Sequence, residues 1–292
     1  MKDRYEIASD HPCSLGEGTV WDAEGQQIYW IDIVQGEIHR KFPGKTMETC
    51  KLDQAIGSIA FRRQGGLIGA MKNGIFFIDF DRNTMQQVAD PEASLPQNRF
   101  NDGKCDPAGR FWAGTMNLDE KSPTGNLYMV ETTLTVSLKI PRTTISNGMA
   151  WNGRGDTYYF IDSPTFSVQA FDFEVQTGRI SAPRKVVQIP QEMGYPDGMT
   201  IDQDDNLWIA FFNGWGVSQW DPRTGKCLHQ VRIPVSQVSC CTFGGAGLQD
   251  LYISTASINL SAAALREQPL SGCLFVIPDC GARGKPAERF AG

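Results

Sequence analysis

The feature of this sequence that most constrains its fold is a repeat of roughly 40 to 50 residues, the spacing of propeller blades. The repeat is clearest in residues 98–116, where polar residues lead into a turn at residues 106–109 and then into an apolar run at residues 111–113. Proline fixes φ in such a turn, and glycine permits a positive φ. The six repeats begin at Glu17, Gly57, Asn101, Asn147, Asp197 and Ser239.

Each repeat continues through a turn into a strand rich in aromatic and β-branched residues. An Asp or Asn follows five residues after four of the starts, and in five of the six repeats a Gly comes three residues further on. Because Asp and Asn side chains hydrogen-bond the backbone of tight turns, we interpret these residues as turn formers. They are Asp22, Asp106, Asn152 and Asp202.

Further strands complete each repeat. The third strand is apolar, as in residues 217–221, and the fourth is shorter and more polar, as in residues 229–233. This grading from a buried strand to a wet edge is typical of a propeller blade. We therefore predict an all-β fold, a six-bladed β-propeller with a central channel, as a single domain over residues 1–292. Residues 5–8 are expected to close the ring, and a short helix is expected only at residues 260–268.

Composition narrows the class of protein. Of the 292 residues, 41% are apolar and 21% are charged, which is ordinary for a globular domain with a sizeable core. The net charge of −6 argues against nucleic acid or an anionic membrane as a partner. No apolar run reaches the length of a transmembrane helix, and the first six residues lack the apolar core of a signal peptide. The eight cysteines contain no Cys-x-x-Cys pair, so we expect a cytoplasmic protein, a monomer or weak homo-oligomer.

Chemistry is expected where the repeats differ. The first residues of the inner strands of a propeller face its channel, and here they include two carboxylates, Glu17 and Asp197, and two amides, Asn101 and Asn147. Three of these four are followed by a glycine, which allows a ligand to approach closely. Carboxylate and amide oxygens are hard donors that suit Ca²⁺, Mg²⁺ or Mn²⁺ and are acceptable to Zn²⁺. The pattern leaves two interpretations open, a metal site and a solvated polar rim.

Other chemistry-bearing residues have simpler interpretations. The tryptophans and tyrosines follow strand positions, which indicates blade packing rather than a sugar-stacking platform. The three histidines are His11, His39 and His229, and none occupies a channel position, which argues against a Ser–His–Asp triad. His11 lies close to Glu17 in the sequence and is interpreted as an exposed loop residue.

A set of longer motifs extends in order over essentially the whole chain. They are Gly16-Glu-Gly-Thr-Val-Trp-Asp22, Arg99-Phe-Asn-Asp-Gly-Lys104, Gly109-Arg-Phe-Trp-Ala-Gly-Thr-Met116, Ser146-Asn-Gly148, Phe160-Ile-Asp-Ser163, Tyr195-Pro-Asp-Gly-Met199, Cys240-Cys-Thr-Phe-Gly-Gly245 and Arg289-Phe-Ala-Gly292. Together they resemble the motifs of the regucalcin (senescence marker protein)/gluconolactonase family. The resemblance is specific for the family and much less specific for the substrate.

The resemblance implies a six-bladed propeller with one divalent ion, Ca²⁺, Zn²⁺, Mg²⁺ or Mn²⁺, in its channel. Arg99 and Asn101 match residues that hold sugar hydroxyls in the family. Asp119 matches a substrate-binding acid that is Glu in the regucalcin branch, and the differing segment leaves open whether Asp119 or Glu120 contacts substrate. The implied metal ligands are Glu17, Asn147 and Asp197.

We therefore expect metal-dependent hydrolysis of a sugar lactone to its aldonic acid. Ester hydrolysis needs an activated water and a stabilised oxyanion, which a divalent ion can provide, and Asp197 is expected to take the water proton. One alternative is a calcium-binding propeller without turnover, against which Arg99 and Asn101 argue. The other is a promiscuous hydrolase of aryl esters or organophosphates, which a mainly apolar channel would favour.

Overall fold

The computed structural model describes residues 5–292 and contains six four-stranded antiparallel sheets. The first strand of each sheet contacts the first strand of the next, and the first strand of the sixth sheet contacts that of the first. This closed order of inner strands surrounds a central channel. The predicted six-bladed β-propeller is confirmed.

The strands of the first three blades follow the chain from channel to rim. Blade one contains β2 (Gly16–Asp22), β3 (Gln27–Asp32), β4 (Glu37–Lys41) and β5 (Glu48–Lys51). Blade two contains β6 (Ile56–Phe61), β7 (Leu67–Met71), β8 (Gly74–Asp79) and β9 (Thr84–Ala89). Blade three contains β10 (Asn98–Cys105), β11 (Phe111–Asn117), β12 (Gly125–Val130) and β13 (Val136–Thr143).

The remaining blades repeat this order, except that the sixth takes its outer strand from the start of the chain. Blade four contains β14 (Ser146–Trp151), β15 (Thr157–Asp162), β16 (Ser167–Glu174) and β17 (Arg179–Gln188). Blade five contains β18 (Tyr195–Ile201), β19 (Leu207–Phe212), β20 (Gly216–Asp221) and β21 (Lys226–Arg232). Blade six contains β22 (Val238–Gly244), β23 (Asp250–Thr255), β24 (Leu274–Ile277) and β1 (Glu6–Ser9).

The two ends of the described chain hold the ring together. Strand β1 pairs antiparallel with β24, with Ile7 opposite Phe275, as predicted for residues 5–8. Near the other end, the wholly buried Phe290 donates its backbone N–H to the carbonyl oxygen of Phe61 and accepts from the N–H of Arg63. Blade six is therefore closed by the first strand of the chain, and the C-terminal segment is fastened to blade two.

Burial falls from the channel to the rim of each blade. Every residue of β6 and of β14 is buried, whereas β17 and β21 are mostly exposed. The large side chains between the sheets include Trp30, Trp112 and Trp208, all fully buried in second strands. Each aromatic ring removes a large apolar area from water, so these side chains contribute strongly to the packing between blades.

The turn aspartates stabilise the turns that join first strands to second strands. Asp106 accepts hydrogen bonds from the backbone N–H of Arg110 at 3.0 Å, from Arg110 Nε at 2.6 Å and from Trp112 Nε1 at 2.9 Å. Asp202 accepts from Trp208 Nε1 at 3.0 Å in the equivalent arrangement. Each carboxylate thus fixes both a turn and the tryptophan that follows it, which confirms that these residues are turn formers.

Little regular structure lies outside the blades. The helix α1 spans Ala262–Glu267, inside the predicted range, and Ser261 caps it by accepting from the N–H of Ala264. Within residues 5–292 no helix is long and apolar enough to cross a membrane. All eight cysteines are free, and Cys240 and Cys241 are buried as thiols.

Candidate active site

A β-bulge or similar irregularity interrupts every inner strand at the predicted channel position. A bulge places an extra residue in one strand and redirects the side chains beside it. The register shifts between Glu17 and Val20, Ile56 and Ser58, Phe100 and Gly103, Ser146 and Met149, Pro196 and Met199, and Val238 and Cys240. The six repeat starts therefore share one backbone device, which directs them toward the channel axis.

Two of the six channel positions, Gly57 and Ser239, join neighbouring blades and do not offer a free polar group to a ligand. A Cβ at Gly57 would lie 2.5 Å from the carbonyl oxygens of Phe100 and Asn101, so only glycine permits this approach of blades two and three. The hydroxyl of Ser239 donates to the carbonyl oxygen of Gly16 and joins blade six to blade one. The polar groups left for chemistry come from blades one, three, four and five.

A cavity of about 550 Å³ lies at one end of the channel, a size suited to a small molecule. Twelve of its twenty lining residues have polar side chains, and the lining also includes a substantial apolar surface. The apolar part includes Ile33, Ile145, Tyr195 and Phe212. The cavity brings together all of the predicted site residues, which are Glu17, Arg99, Asn101, Asp119, Asn147 and Asp197.

A chain of hydrogen bonds positions the amides of the site. Arg99 Nη1 donates to Asn101 Oδ1 at 2.6 Å, and Asn101 Nδ2 donates to Asn147 Oδ1 at 2.8 Å. Asn147 Nδ2 then donates to Ser163 Oγ at 2.8 Å, and this hydroxyl donates to the carbonyl oxygen of Pro196 at 2.6 Å. The network crosses three blades and ends beside Asp197, so it fixes the site residues relative to one another.

The carboxylates of the channel are only partly compensated by the positive charges of Arg99 and Lys104. Burial, followed by repulsion from Asp102, raises the pKa of Glu17 to about 8. Burial and the charges of Glu17 and Asp102 raise the pKa of Asp197 well above its ordinary value. Burial also raises the pKa of Asp102 itself, although Lys104 acts in the opposite direction. Among residues 5–292 no group donates a hydrogen bond to the Asp197 carboxylate. The channel therefore disfavours the charged forms of these carboxyl groups, and a bound cation would restore them.

Arg99 is the cation that faces these carboxylates. Burial lowers the pKa of its guanidinium, while Glu120, then Glu17 and Asp197, act to raise it. Its Nη1 donates to the carbonyl oxygen of Phe100 and to the Asn101 amide. The Nε and Nη2 groups have no acceptor within the described part of the chain, so these N–H groups are available to a ligand.

Asp119 and Glu120 differ in their surroundings. The Asp119 carboxylate accepts from the backbone N–H groups of Lys121 and Ser122 and from the Ser122 hydroxyl, all at 2.6–2.8 Å. These bonds lower its pKa and hold it in a local turn. Glu120 has a positive φ of 58° and is the residue with the largest favourable charge interaction with Arg99. Contact of Asp119 with substrate remains a prediction, and Glu120 is the neighbouring acid whose charge acts most strongly on Arg99.

The donor set fits a divalent cation. Two buried carboxylates, Glu17 and Asp197, and the amide oxygen of Asn147 meet in one cavity, and the carboxylates repel one another. A hard cation with oxygen ligands would relieve that repulsion. The arrangement excludes neither Ca²⁺ nor a smaller ion, because carboxylate and amide oxygens serve both.

Two residues in or beside the site, Ser163 and Asp102, were not identified from the sequence as site residues. Ser163 links Asn147 to the backbone before Asp197, and it stands in the motif of residues 160–163. Asp102 lies beside Asn101 and faces a second cavity of about 300 Å³ with Lys104. The bulge in β10 allows Asn101 and Asp102, which are adjacent in the sequence, to line cavities at different ends of the channel. No sequence signal other than Gly103 predicts this bulge. His11 lies outside both cavities.

Comparison with known proteins identifies the family. The model of the SMP-30/Gluconolactonase/LRE-like region matches residues 15–257, a range that contains every predicted site residue. The chain is 37% identical to the regucalcin of Danio rerio over 95% of both chains. It is 34% identical to the putative sugar lactone lactonase YvrE of Bacillus subtilis (strain 168) over 92% of both chains. The protein therefore belongs to the SMP-30/gluconolactonase/LRE-like family, as its motifs indicate.

A solved structure supports the same assignment. A luciferin-regenerating enzyme superposes on this protein with a TM-score of 0.93 and 28% sequence identity, over 99% of both chains. The names within the family differ in the activity they describe. The family therefore supports lactone hydrolysis in broad terms and leaves the substrate open.

Proposed function

We propose that this protein is a metal-dependent lactonase of the gluconolactonase type, which hydrolyses a sugar lactone to its aldonic acid. One observation carries the proposal: a single cavity combines two buried carboxyl groups, Glu17 and Asp197, with the hydrogen-bonding pair Arg99 and Asn101. Carboxyl groups that repel one another suit a metal ion, and the free N–H groups of Arg99 suit a ring with several hydroxyls. A protein that only stored calcium would not need the second group.

Glu17, Asn147 and Asp197 would hold the divalent ion. When bound, such an ion polarises a carbonyl oxygen and lowers the pKa of a bound water. The protein contributes the positions of these ligands, since the bulges direct Glu17 and Asp197 inward and Ser163 fixes the Asn147 amide at 2.8 Å. Supporting hydrogen bonds of this kind orient metal ligands in many proteins.

Asp197 is assigned as the general base. Its carboxylate lines the cavity and receives no hydrogen bond from the described residues, so an attacking water can occupy that position. The water oxygen forms a bond to the lactone carbonyl carbon as its proton passes to Asp197. The ring C–O bond then breaks, and the proton passes from Asp197 to the departing ring oxygen, which becomes a hydroxyl.

Arg99 and Asn101 are assigned to substrate hydroxyls. The free N–H groups of Arg99 are held near the cavity because its Nη1 is bonded to Phe100 and Asn101. A site built from such groups rejects a ring without hydroxyls, because its own polar atoms would be left unpaired. Glu120 would add an acceptor on the same side, with Asp119 holding the turn beside it.

A second candidate function rests on the apolar wall of the cavity. Ile33, Ile145 and Phe212 would pack against a hydrophobic leaving group, as in an aryl ester. Hydrolysis of aryl esters is therefore a proposed side activity.

As for location, the free cysteines agree with a reducing compartment, and we propose a cytosolic monomer or weak homo-oligomer that acts on a small molecule.

A rate assay tests the proposal directly. Proton release by the full-length protein is followed with a pH indicator over a panel of five- and six-carbon aldonolactones, γ-butyrolactone and an aryl ester. Each is measured after chelation and after return of Ca²⁺, Zn²⁺, Mg²⁺ or Mn²⁺. We expect turnover of sugar lactones that chelation abolishes and one of these ions restores. Turnover unaffected by exhaustive chelation would refute the metal-assisted mechanism, and no turnover with any ion would favour a binding protein.

A further inference from the structure

A second group of metal-ligating side chains lies outside the channel. His11 and Cys13 belong to the connection between β1 and β2, and His39 lies in β4. One ring nitrogen of each histidine and the Sγ atom of Cys13 lie within 4.8 Å of one another. None of these three residues lines the channel cavity, so the cluster is separate from the proposed catalytic site.

His39 is buried, and one of its ring nitrogens is held in place as in many metal-binding histidines. Its side chain is fully buried, and its Nδ1 lies 2.9 Å from Thr49 Oγ1. Its Nε2 is also buried and has no hydrogen-bond partner among residues 5–292. An unpartnered buried nitrogen costs free energy, and such cases in proteins call for an explanation. A hydrogen bond to the opposite ring nitrogen is what orients most metal-binding histidines.

Glu37 marks the point at which the two imidazoles converge. Its Oε2 atom lies 3.7 Å from His39 Nε2 and 3.9 Å from His11 Nε2. The ligand atoms of a tetrahedral zinc site are about 3.3–3.6 Å apart, given Zn–N and Zn–S distances of about 2.0–2.3 Å. The cluster is therefore slightly wider than a loaded site, and His11, which is partly exposed on a loop, is the ligand that can adjust on binding.

We propose that His11, Cys13 and His39 bind a Zn²⁺ ion and leave its fourth position to water. Imidazole nitrogen and thiolate sulfur favour Zn²⁺ over Ca²⁺ or Mg²⁺, which prefer oxygen. The thiol of Cys13 loses its proton to solvent as the Zn–S bond forms. A thiol is largely protonated at neutral pH, so binding releases one proton.

The position of the site suggests what the ion does. His11 and Cys13 follow β1, the strand that closes blade six, and precede β2, which carries Glu17. His39 belongs to blade one. A zinc ion shared among them fastens the closing strand to the neighbouring blade, and it therefore stabilises the ring against opening at its seam.

Cobalt is the probe for this site, because Co²⁺ replaces Zn²⁺ and reports its ligands by absorption. The full-length protein is stripped with chelator and titrated with Co²⁺. We expect a thiolate-to-cobalt charge-transfer band with tetrahedral visible bands, complete at one equivalent and abolished by Zn²⁺. Cobalt in the channel gives no such band, since its ligands there are oxygens. Absence of a thiolate band would overturn the proposal.

Variants assign the ligands. Cys13→Ser is expected to abolish the thiolate band, whereas Cys227→Ser, which removes an exposed thiol elsewhere, is expected to leave it unchanged. His11→Ala changes a partly exposed residue and is expected to weaken Co²⁺ binding at least tenfold without unfolding the protein. Thr49→Val removes the support of His39 and is expected to weaken binding about 10- to 100-fold. A band that survives Cys13→Ser, or unchanged affinity in His11→Ala, would refute the assignment.

Thermal unfolding provides the second readout. Zn²⁺ is expected to raise the Tm of the Glu17→Gln variant as well as that of the wild-type protein, because the seam site does not depend on Glu17. It is expected not to raise the Tm when His11→Ala is added to the Glu17→Gln variant, in which the channel site is already weakened. If the rise depended on Glu17 and not on His11, zinc would be acting in the channel and the seam site would be rejected.

Discussion

Two sets of carboxylates lie at opposite ends of the same inner strands. At one end, Asp106 and Asp202 are buried and are saturated with hydrogen bonds from backbone, tryptophan and other side chains. At the other end, Glu17 and Asp197 are almost as deeply buried, yet Asp197 receives no hydrogen bond from residues 5–292, and Glu17 receives one, from Gly18.

The difference separates folding from function. A carboxylate that receives several hydrogen bonds remains charged in the interior and stabilises the turn that supplies the donors. A carboxylate placed among other carboxylates is destabilised, and the fold tolerates it because the surrounding blades fix the backbone. In this propeller, residues of the same chemical type therefore hold the blades at one end and leave charge for a ligand at the other.

The largest expected effect is on the free energy of unfolding, and it comes from the loss of a hydrogen-bonded turn aspartate. Asp106→Ala leaves Arg110, which is only 3% exposed, without its 2.6 Å partner. Breaking a buried ion pair by removing one partner costs about 3–5 kcal/mol. We expect urea unfolding to show a loss of that size. The matched control is Asp22→Ala, at the same repeat position, where the partner Arg289 is partly exposed and the loss should be at most about 1 kcal/mol. Equal losses in both variants would remove the distinction.

The next prediction concerns the channel end of the strands, where we expect a substitution to reduce kcat rather than stability. Asp197→Asn keeps an oxygen of similar size but cannot take a proton at neutral pH, so we expect kcat to fall about 10²-fold or more in a folded protein. Asp202→Asn is the counterpart and should keep kcat near that of the wild type while it loses about 1–3 kcal/mol of stability. Steady-state kinetics and urea unfolding are measured on both. If kcat survived in Asp197→Asn and only metal affinity dropped, Asp197 would be a ligand and not the base.

The same contrast shows what the sequence could predict. The repeat period, the turn aspartates and the aromatic strands identify six blades, because these features recur and each has a local cause. The position of Glu17, Asn147 and Asp197 in one cavity also follows from the repeat. The charge state of the site does not, since it depends on Asp102, which reaches the channel through a bulge that sequence patterns do not mark. The contact of His11 with His39, with ring centres 4.8 Å apart, likewise joins a loop to a strand that only the fold brings together.

A smaller effect concerns the substrate. Arg99→Ala removes N–H donors that we assign to substrate hydroxyls, and it should lower kcat/KM for sugar lactones about tenfold or more while simple alkyl lactones change little. Lys121→Ala is the matched control, because Lys121 lines the same cavity but is exposed at its rim. Equal losses on both substrate classes would show that Arg99 acts on the ion or the fold and not on hydroxyls.

The smallest effect tests whether the channel carboxylates are strained as the comparison requires. In the chelated protein at pH 8, Glu17→Gln removes the destabilisation that accompanies the raised pKa of Glu17, which burial and then Asp102 bring to about 8. A shift of one pKa unit corresponds to about 1.4 kcal/mol. We therefore expect this variant to be more stable than the chelated wild type by about 1 kcal/mol, a rise in Tm of about 2–3 °C. Addition of Ca²⁺ should reverse the order, because the wild type gains stability from binding and the variant binds weakly. Thermal unfolding with and without Ca²⁺ measures both arms. A variant less stable than the wild type after chelation would mean that Glu17 is already compensated by the protein, and the distinction between the two ends of the strands would fail at this residue.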